Sequence, residues 1–254
     1  MMLKYSPILD RPRNQRGHPM TPDEMIERLL HPSSDADGGV VANELLAAFC
    51  RDYPIENLRR LFVPATTGYA AFLASELGQK VRPLLREVAE LLEDGTPRVR
   101  GDAIEAISLC TTWEDGWAIA KIVKMLGDPH EGVRWMACKA LRYMDSSNVL
   151  AGLEHLHASE PASIFASFKN AFLALERWPK RAAATLEQLL THEERVARRF
   201  GAAMAVRPRL FIDPAFVAIA ATTKDAELLK LVREATDAPL PPWAVWTGAN
   251  SNRD

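Results

Sequence analysis

Two stretches of this chain superpose without a gap. Laying LLEDGTPRVRGDAIEAI (residues 91–107) over MLGDPHEGVRWMACKAL (125–141) aligns them at an offset of 34 residues. Leu92 falls on Leu126, Asp94 on Asp128, Val99-Arg100 on Val133-Arg134, Ala103 on Ala137 and Ala106 on Ala140. A repeat of this length is one supersecondary element that cannot bury its apolar face alone, so copies must stack. Few other features restrict a fold so strongly.

Each copy reads as two helices. Trp117, Ala120, Ile122, Val123 and Leu126 share one helical stripe, and Asp128-Pro129 ends that helix because proline disfavours helical geometry in the residue before it. The second helix then buries Val133, Ala137, Ala140, Leu141 and Met144, with alanines small enough to let a neighbouring helix approach. The acid lies near the free amides that open this helix, and the arginine in its first turn can reach the acid of a neighbouring hairpin. Weaker copies run through 22–52, 55–78, 147–177, 181–206 and 214–235. In the sixth pair Arg199 and Ala202 lie 65 residues beyond Arg134 and Ala137, close to two periods. Strand-like alternation never persists.

The pattern Asp-x-x-x-x-Val-Arg-x-x-Ala-x-x-Ala resembles HEAT repeats. That resemblance implies an all-α, right-handed solenoid of about six or seven helical hairpins over residues 21–236. An extended N-terminal segment (1–20) and a Pro/Trp-containing tail (237–254, with Trp243 and Trp246) flank it. It also implies buried ladders between stacked hairpins, formed here by Asp94, Arg100, Asp128, Arg134 and Arg199.

Chemistry is sparse. The six histidines have no metal-ligand spacing, and His155 and His157 diverge on a helix. No phosphate-binding loop, dinucleotide fingerprint or nucleophile elbow occurs. Glu87/Glu90 and Asp23/Glu24/Glu27 read as solvated helix faces. Cys50, Cys110 and Cys138 are widely separated and read as reduced, buried side chains. No catalytic residue, cofactor or metal is expected. Net charge is −2, and only residues 131–209 carry a basic excess, which argues against nucleic acid. Charges and prolines near the N-terminus replace the apolar core of a signal peptide, so a cytoplasmic protein with no membrane partner is expected.

A stacked array works through its surface. Trp135, Lys139 and Arg142 lie beside the core stripe of their helix, and a 65-residue shift carries those positions to Phe200, Met204 and Arg207. The 34-residue shift backwards gives Gly101, Glu105 and Ser108. These positions read either as a wall contacting a partner protein, or as packing between hairpins with solvated basic tips.

Residues 52–145 also resemble the HEAT-like immunity proteins found beside bacterial polymorphic toxins. The likeness rests on Tyr53-Pro54, Leu58, Ser75-Glu76-Leu77-Gly78, Pro83-Leu84-Leu85 and Val99-Arg100. It implies an inhibitor, monomeric when free, that binds a cognate toxin domain one-to-one. A general scaffold or adaptor would use the same wall. HEAT-like DNA glycosylases and bilin lyases are further members of this architecture, the former disfavoured by charge and the latter selected by no feature of the sequence.

Overall fold

The structure is a computed structural model that describes residues 18–31, 37–177, 179–207 and 213–237. The tail tryptophans and most of the expected N-terminal segment lie outside the described residues. Among those residues every extended element is helical, and the chain divides into two compact units, one ending at Cys110 and one beginning at Thr111.

The first unit opens with α1 (Pro22–Leu30), started by a capping box in which Thr21 Oγ1 accepts the Glu24 amide and the Glu24 carboxylate accepts the Thr21 amide at 2.7 Å. It continues with α2 (Gly38–Arg51) and α3 (Thr67–Leu77). Residues Ile55–Leu61, expected as an α-helix, form a 3-10 segment. Its arginines fasten it to neighbouring elements rather than to solvent: Arg60 binds Asp23 and Glu27, and Arg59 lies 2.6 Å from Glu87. Asp23, Glu24, Glu27 and Glu90 are exposed, as read from sequence, and Asp23, Glu27 and half-buried Glu87 also hold these arginines. Tyr53 donates to Asp23 Oδ1 at 2.9 Å, and burial together with that carboxylate pushes its phenol up to about 12.

Gly78 ends α3 at φ +54°, a conformation that disfavours any residue with a Cβ. Pro83 then interrupts the helical course of residues 78–93, because it has no amide to donate. The result is a 3-10 stretch (Gly78–Leu84), the short α4 (Leu85–Glu90) and another 3-10 turn (Leu91–Glu93). The unit closes with α5 (Pro97–Cys110), packed along α3 over Ala70, Ala74, Ala103 and Ile107.

The second unit contains α6 (Gly116–Lys124), α7 (Glu131–Tyr143), α8 (Ser146–Ser159), α9 (Ile164–Arg177) and α10 (Pro179–Leu190). It ends with α11 (Arg195–Ala205), α12 (Pro214–Ala220) and α13 (Ala226–Asp237). Glycine sets the α6–α8 spacing: a Cβ on Gly116 would sit 2.6 Å from the Ala151 carbonyl oxygen, and one on Gly152 2.6 Å from Ile119 Cγ2. Helix α11 is central. Phe200 to Val206 are all buried, and α11 lies against α7, α9, α10, α12 and α13. A simple stack would bring α7 only its sequential neighbours; here α11 returns across it.

Cys110 and Cys138 are buried as expected, but Cys50 is exposed. It occupies the last turn of α2 on the outward side, where helical spacing from buried Leu45 and Phe49 carries it off the core stripe.

Candidate functional site

The joint between the two helices of a hairpin has a definite construction. Asp94 Oδ1 accepts the Thr96 amide at 2.7 Å, and Arg100 Nη1 donates to the Asp94 carbonyl at 2.7 Å. Asp128 repeats this, accepting the His130 amide at 2.8 Å while Arg134 donates to the Asp128 and Pro129 carbonyls. Burial works to raise the Asp94 carboxyl, but hydrogen bonds from Thr96 and Thr67 and the charge of Arg100 hold it below the usual range. Thr67 opens α3, so Asp94 ties its loop to the preceding hairpin.

A third joint corrects the sequence register. His192 Nδ1 accepts the Glu194 amide at 3.0 Å, and Arg198, not Arg199, donates back to the His192 and Glu193 carbonyls. The arginine must follow the turn residue by six positions to close this ring. The adjacent pair Arg198-Arg199 concealed which one does so.

Arg199 instead joins a cluster on α13. Arg134 grips the Glu227 carboxylate with two parallel bonds, Nε to Oε1 at 2.7 Å and Nη2 to Oε2 at 2.9 Å. Arg199 approaches both oxygens at 3.3 Å and donates to the Leu126 carbonyl at 3.0 Å. Burial alone would raise Glu227, but the hydrogen bonds and charges of Arg134 and Arg199 outweigh it and hold the carboxyl below its ordinary value. Burial pushes the neighbouring Cys138 thiol up to about 12.

The positions expected on an open wall are occupied from within. Trp135 is half-buried and donates its indole N–H to Glu234 Oε2 at 2.6 Å, with Lys139 Nζ 5.6 Å from its ring centre. Arg142 is buried, donates to the Ala235 carbonyl at 2.8 Å and covers the Tyr143 ring. Phe200 is fully enclosed and stacks on Phe168 with centroids 4.5 Å apart. Met204 is enclosed too. Arg207 is buried, donating to the Leu141 and Met144 carbonyls. Phe200, Arg142 and Arg207 are thus internal. Helical spacing correctly grouped residues on one face, but it carries no information about which later helix returns across that face.

An open counterpart lies in the first unit. A groove of about 500 Å³ crosses the N-terminal turns of α2, α3 and α5. Its walls include Gly39, Ala42, Gly68, Tyr69, Phe72 and Arg98. Small residues let the helices stand close, and Tyr69 closes over Gly38, where an added Cβ would fall 2.0 Å from its hydroxyl. Glu76 and Asp102 lie one turn beyond Phe72 and Arg98, and Glu105 follows a turn further along α5. Burial raises the Asp102 carboxyl, and the charges of Glu105 and Glu76 add to that rise against Arg98, whose Nε is 3.8 Å away. Of these residues only Glu105 was marked by the repeat. Tyr69, Phe72, Glu76 and Asp102 became a group only when α3 and α5 were laid side by side.

The residues behind the immunity-protein likeness largely build the fold. Leu58, Leu77, Leu84 and Leu85 are core, Gly78 is the positive-φ turn, and Ser75 Oγ donates to the Phe72 carbonyl. Glu76 is exposed on the groove side of α3. Among the described residues no group of three or more His, Cys, Asp or Glu side chains is placed to hold a metal ion, and no helix is long and apolar enough to cross a membrane.

Residues 85–167 match HEAT repeats. That span runs from α4 into α9 and contains both copies of the 34-residue repeat, so it is similar to the family over about a third of the chain. No curated protein and no solved structure matches.

Proposed function

We propose that this chain is a non-catalytic protein-binding scaffold, and that the α2–α3–α5 face of its first unit holds a partner segment bearing an apolar anchor and basic side chains. The observation that carries this reading is the groove itself: half-exposed Tyr69 and Phe72 line it with Arg98, and Glu76 and Asp102 stand one turn beyond Phe72 and Arg98, with Glu105 further along α5. Aromatic anchors in a preformed depression supply contact area at little entropic cost. Mutually repelling carboxylates gain most when a cation arrives, which favours rapid and selective association. The same field repels phosphate, so nucleic acid is a poor occupant. Similarity to HEAT repeats supports an interaction role and needs no cofactor.

The narrower form of this proposal is an inhibitor of a bacterial toxin domain, acting in the cytoplasm as a one-to-one complex. Its support is the Tyr53-to-Arg100 motif series, in which Val99 lines the groove and Glu76 lies one turn beyond Phe72.

Affinity capture with the full chain tests the broader reading. A partner retained by wild type should be lost from Phe72→Asp, and from Glu76→Lys with Glu105→Lys, while the melting temperature stays unchanged. Retention of that partner by both variants refutes the groove. Co-expression with the toxin encoded beside the gene tests the narrower reading. Cells that die as fast with this protein as without it remove the inhibitor and leave the scaffold.

A further inference from the structure

The second unit carries a separate surface, and α13 describes its ligand. The face of α7 presents Arg134, Trp135, Lys139 and Arg142, with Arg199 beside it on α11. Seated against this face, α13 buries Leu228, Leu231, Val232 and Ala235 and brackets them with Glu227 and Glu234, seven residues apart on one side of the helix. Glu227 meets Arg134 and Arg199, Glu234 meets the Trp135 indole, and the Ala235 carbonyl meets Arg142. One exposed acid on α7, Glu131, pairs with Lys230 at 3.5 Å.

This seat is filled imperfectly. Arg142 is only 7% exposed, yet its Nε is buried without a hydrogen-bond partner. The Ala235 carbonyl accepts from Nη2 alone, whereas a carboxylate in its place would offer two oxygens, one to Nη2 and one to Nε. Beneath the same helix a void of about 10 Å³, room for a single water, remains among Trp135, Cys138, Arg199, Glu227, Leu228 and Leu231. An uncompensated buried donor and a gap under one helix mark a contact that a better-matched occupant could improve.

We infer that α13 is a displaceable internal occupant, and that the α7–α11 face receives in its place an amphipathic helix from a partner protein. That helix carries two carboxylates seven residues apart around a leucine-type stripe, with a further acid where Ala235 now ends the contact. The repeat pattern leaves this face open for binding; α13 covers it with a copy of the chemistry it selects. Release of α13 exposes Trp135 and three arginines together, so partner affinity is reduced by the fraction of molecules in which the seat is occupied.

A fluorescein-labelled peptide of residues 223–237 (TKDAELLKLVREATD) is the probe, titrated into the full chain by anisotropy. In Glu227→Gln with Glu234→Gln, hydrogen exchange of α13 amides should accelerate and the peptide should bind about tenfold or more tighter than to wild type. Adding Arg142→Gln should remove that gain, and a scrambled peptide should not bind. Phe72→Asp in the first unit should leave peptide binding unchanged, which separates this surface from the groove. If the double variant fails to fold, the wild-type chain at high peptide concentration gives the readout: α7 amides gain protection while α13 amides lose it. The inference is overturned if the loosened chain, with α13 exchanging freely, does not bind the peptide. It is equally overturned if α13 amides open only with the whole molecule.

Discussion

Replacing Glu227 with Gln preserves the side chain's size and removes its charge, leaving Arg134 and Arg199 facing each other across a neutral amide. Exposed ion pairs are worth about 0–1 kcal/mol, whereas breaking a buried one costs about 3–5 kcal/mol. The side chains here are 27% exposed for Glu227, 13% for Arg134 and 10% for Arg199, between those limits but nearer the buried one. A loss of about 2 kcal/mol follows, equivalent to about 4–8 °C in melting temperature for a protein of this size. The pH dependence has a definite sign. Because the folded carboxyl titrates below its ordinary value of 4.5, its stabilisation is complete above that value and is lost as pH falls through the lowered one. Urea unfolding of wild type and Glu227→Gln should therefore differ by a constant amount at neutral pH, narrow as pH falls below the ordinary value of 4.5, and converge below the lowered one. Lys230→Gln, which removes a pair with both partners more than half exposed, should change stability by less than about 0.5 kcal/mol. Equal stability of Glu227→Gln and wild type at pH 7, or an undiminished gap at pH 3, would show that the carboxylate is not clamped.

Gly152→Ala should destabilise, since overpacking against Ile119 costs about 1–3 kcal/mol and outweighs the ~1 kcal/mol that alanine contributes within a helix. Gly68→Ala, with no atom within 4 Å of the added Cβ, should be neutral or stabilising in the same denaturation assay. Phe200→Ala should cost about 3–5 kcal/mol by opening a cavity against Phe168, which a surface aromatic would not. Thiol titration at neutral pH should modify Cys50 rapidly and leave Cys110 and Cys138 unreacted until the chain unfolds, because burial of Cys138 suppresses its thiolate.

Much of the local structure was legible because it depends on near neighbours. Asp128-Pro129 ends one helix and Val133-Arg134 begins the next for reasons contained within seven residues, and the same joint recurs at Asp94–Arg100. Alanine stripes marked the faces that pack. Where an element departs from a regular α-helix, the cause is visible afterwards: Pro83 lies within the 3-10 stretch Gly78–Leu84, and the arginine ion pairs at 59–60 hold a 3-10 segment. The third joint was read one residue out, because His192 stands in the place of the marker aspartate and two arginines follow together.

The candidate surfaces required more. Periodicity placed Trp135, Lys139 and Arg142 on one side of α7, yet α11 and α13 return to cover that side with residues 60 to 100 positions away. Conversely, Tyr69, Phe72 and Asp102 carry no motif, and with Glu76 they become a site through the lateral packing of α3 and α5. Helix identity, hairpin joints and the inward stripe are short-range properties, set by backbone sterics and the burial of apolar side chains at fixed spacing, and the amino-acid order alone determined them. Which faces stay open depends on long-range contacts whose small free-energy differences are summed over the whole unit, and only the tertiary structure decided that.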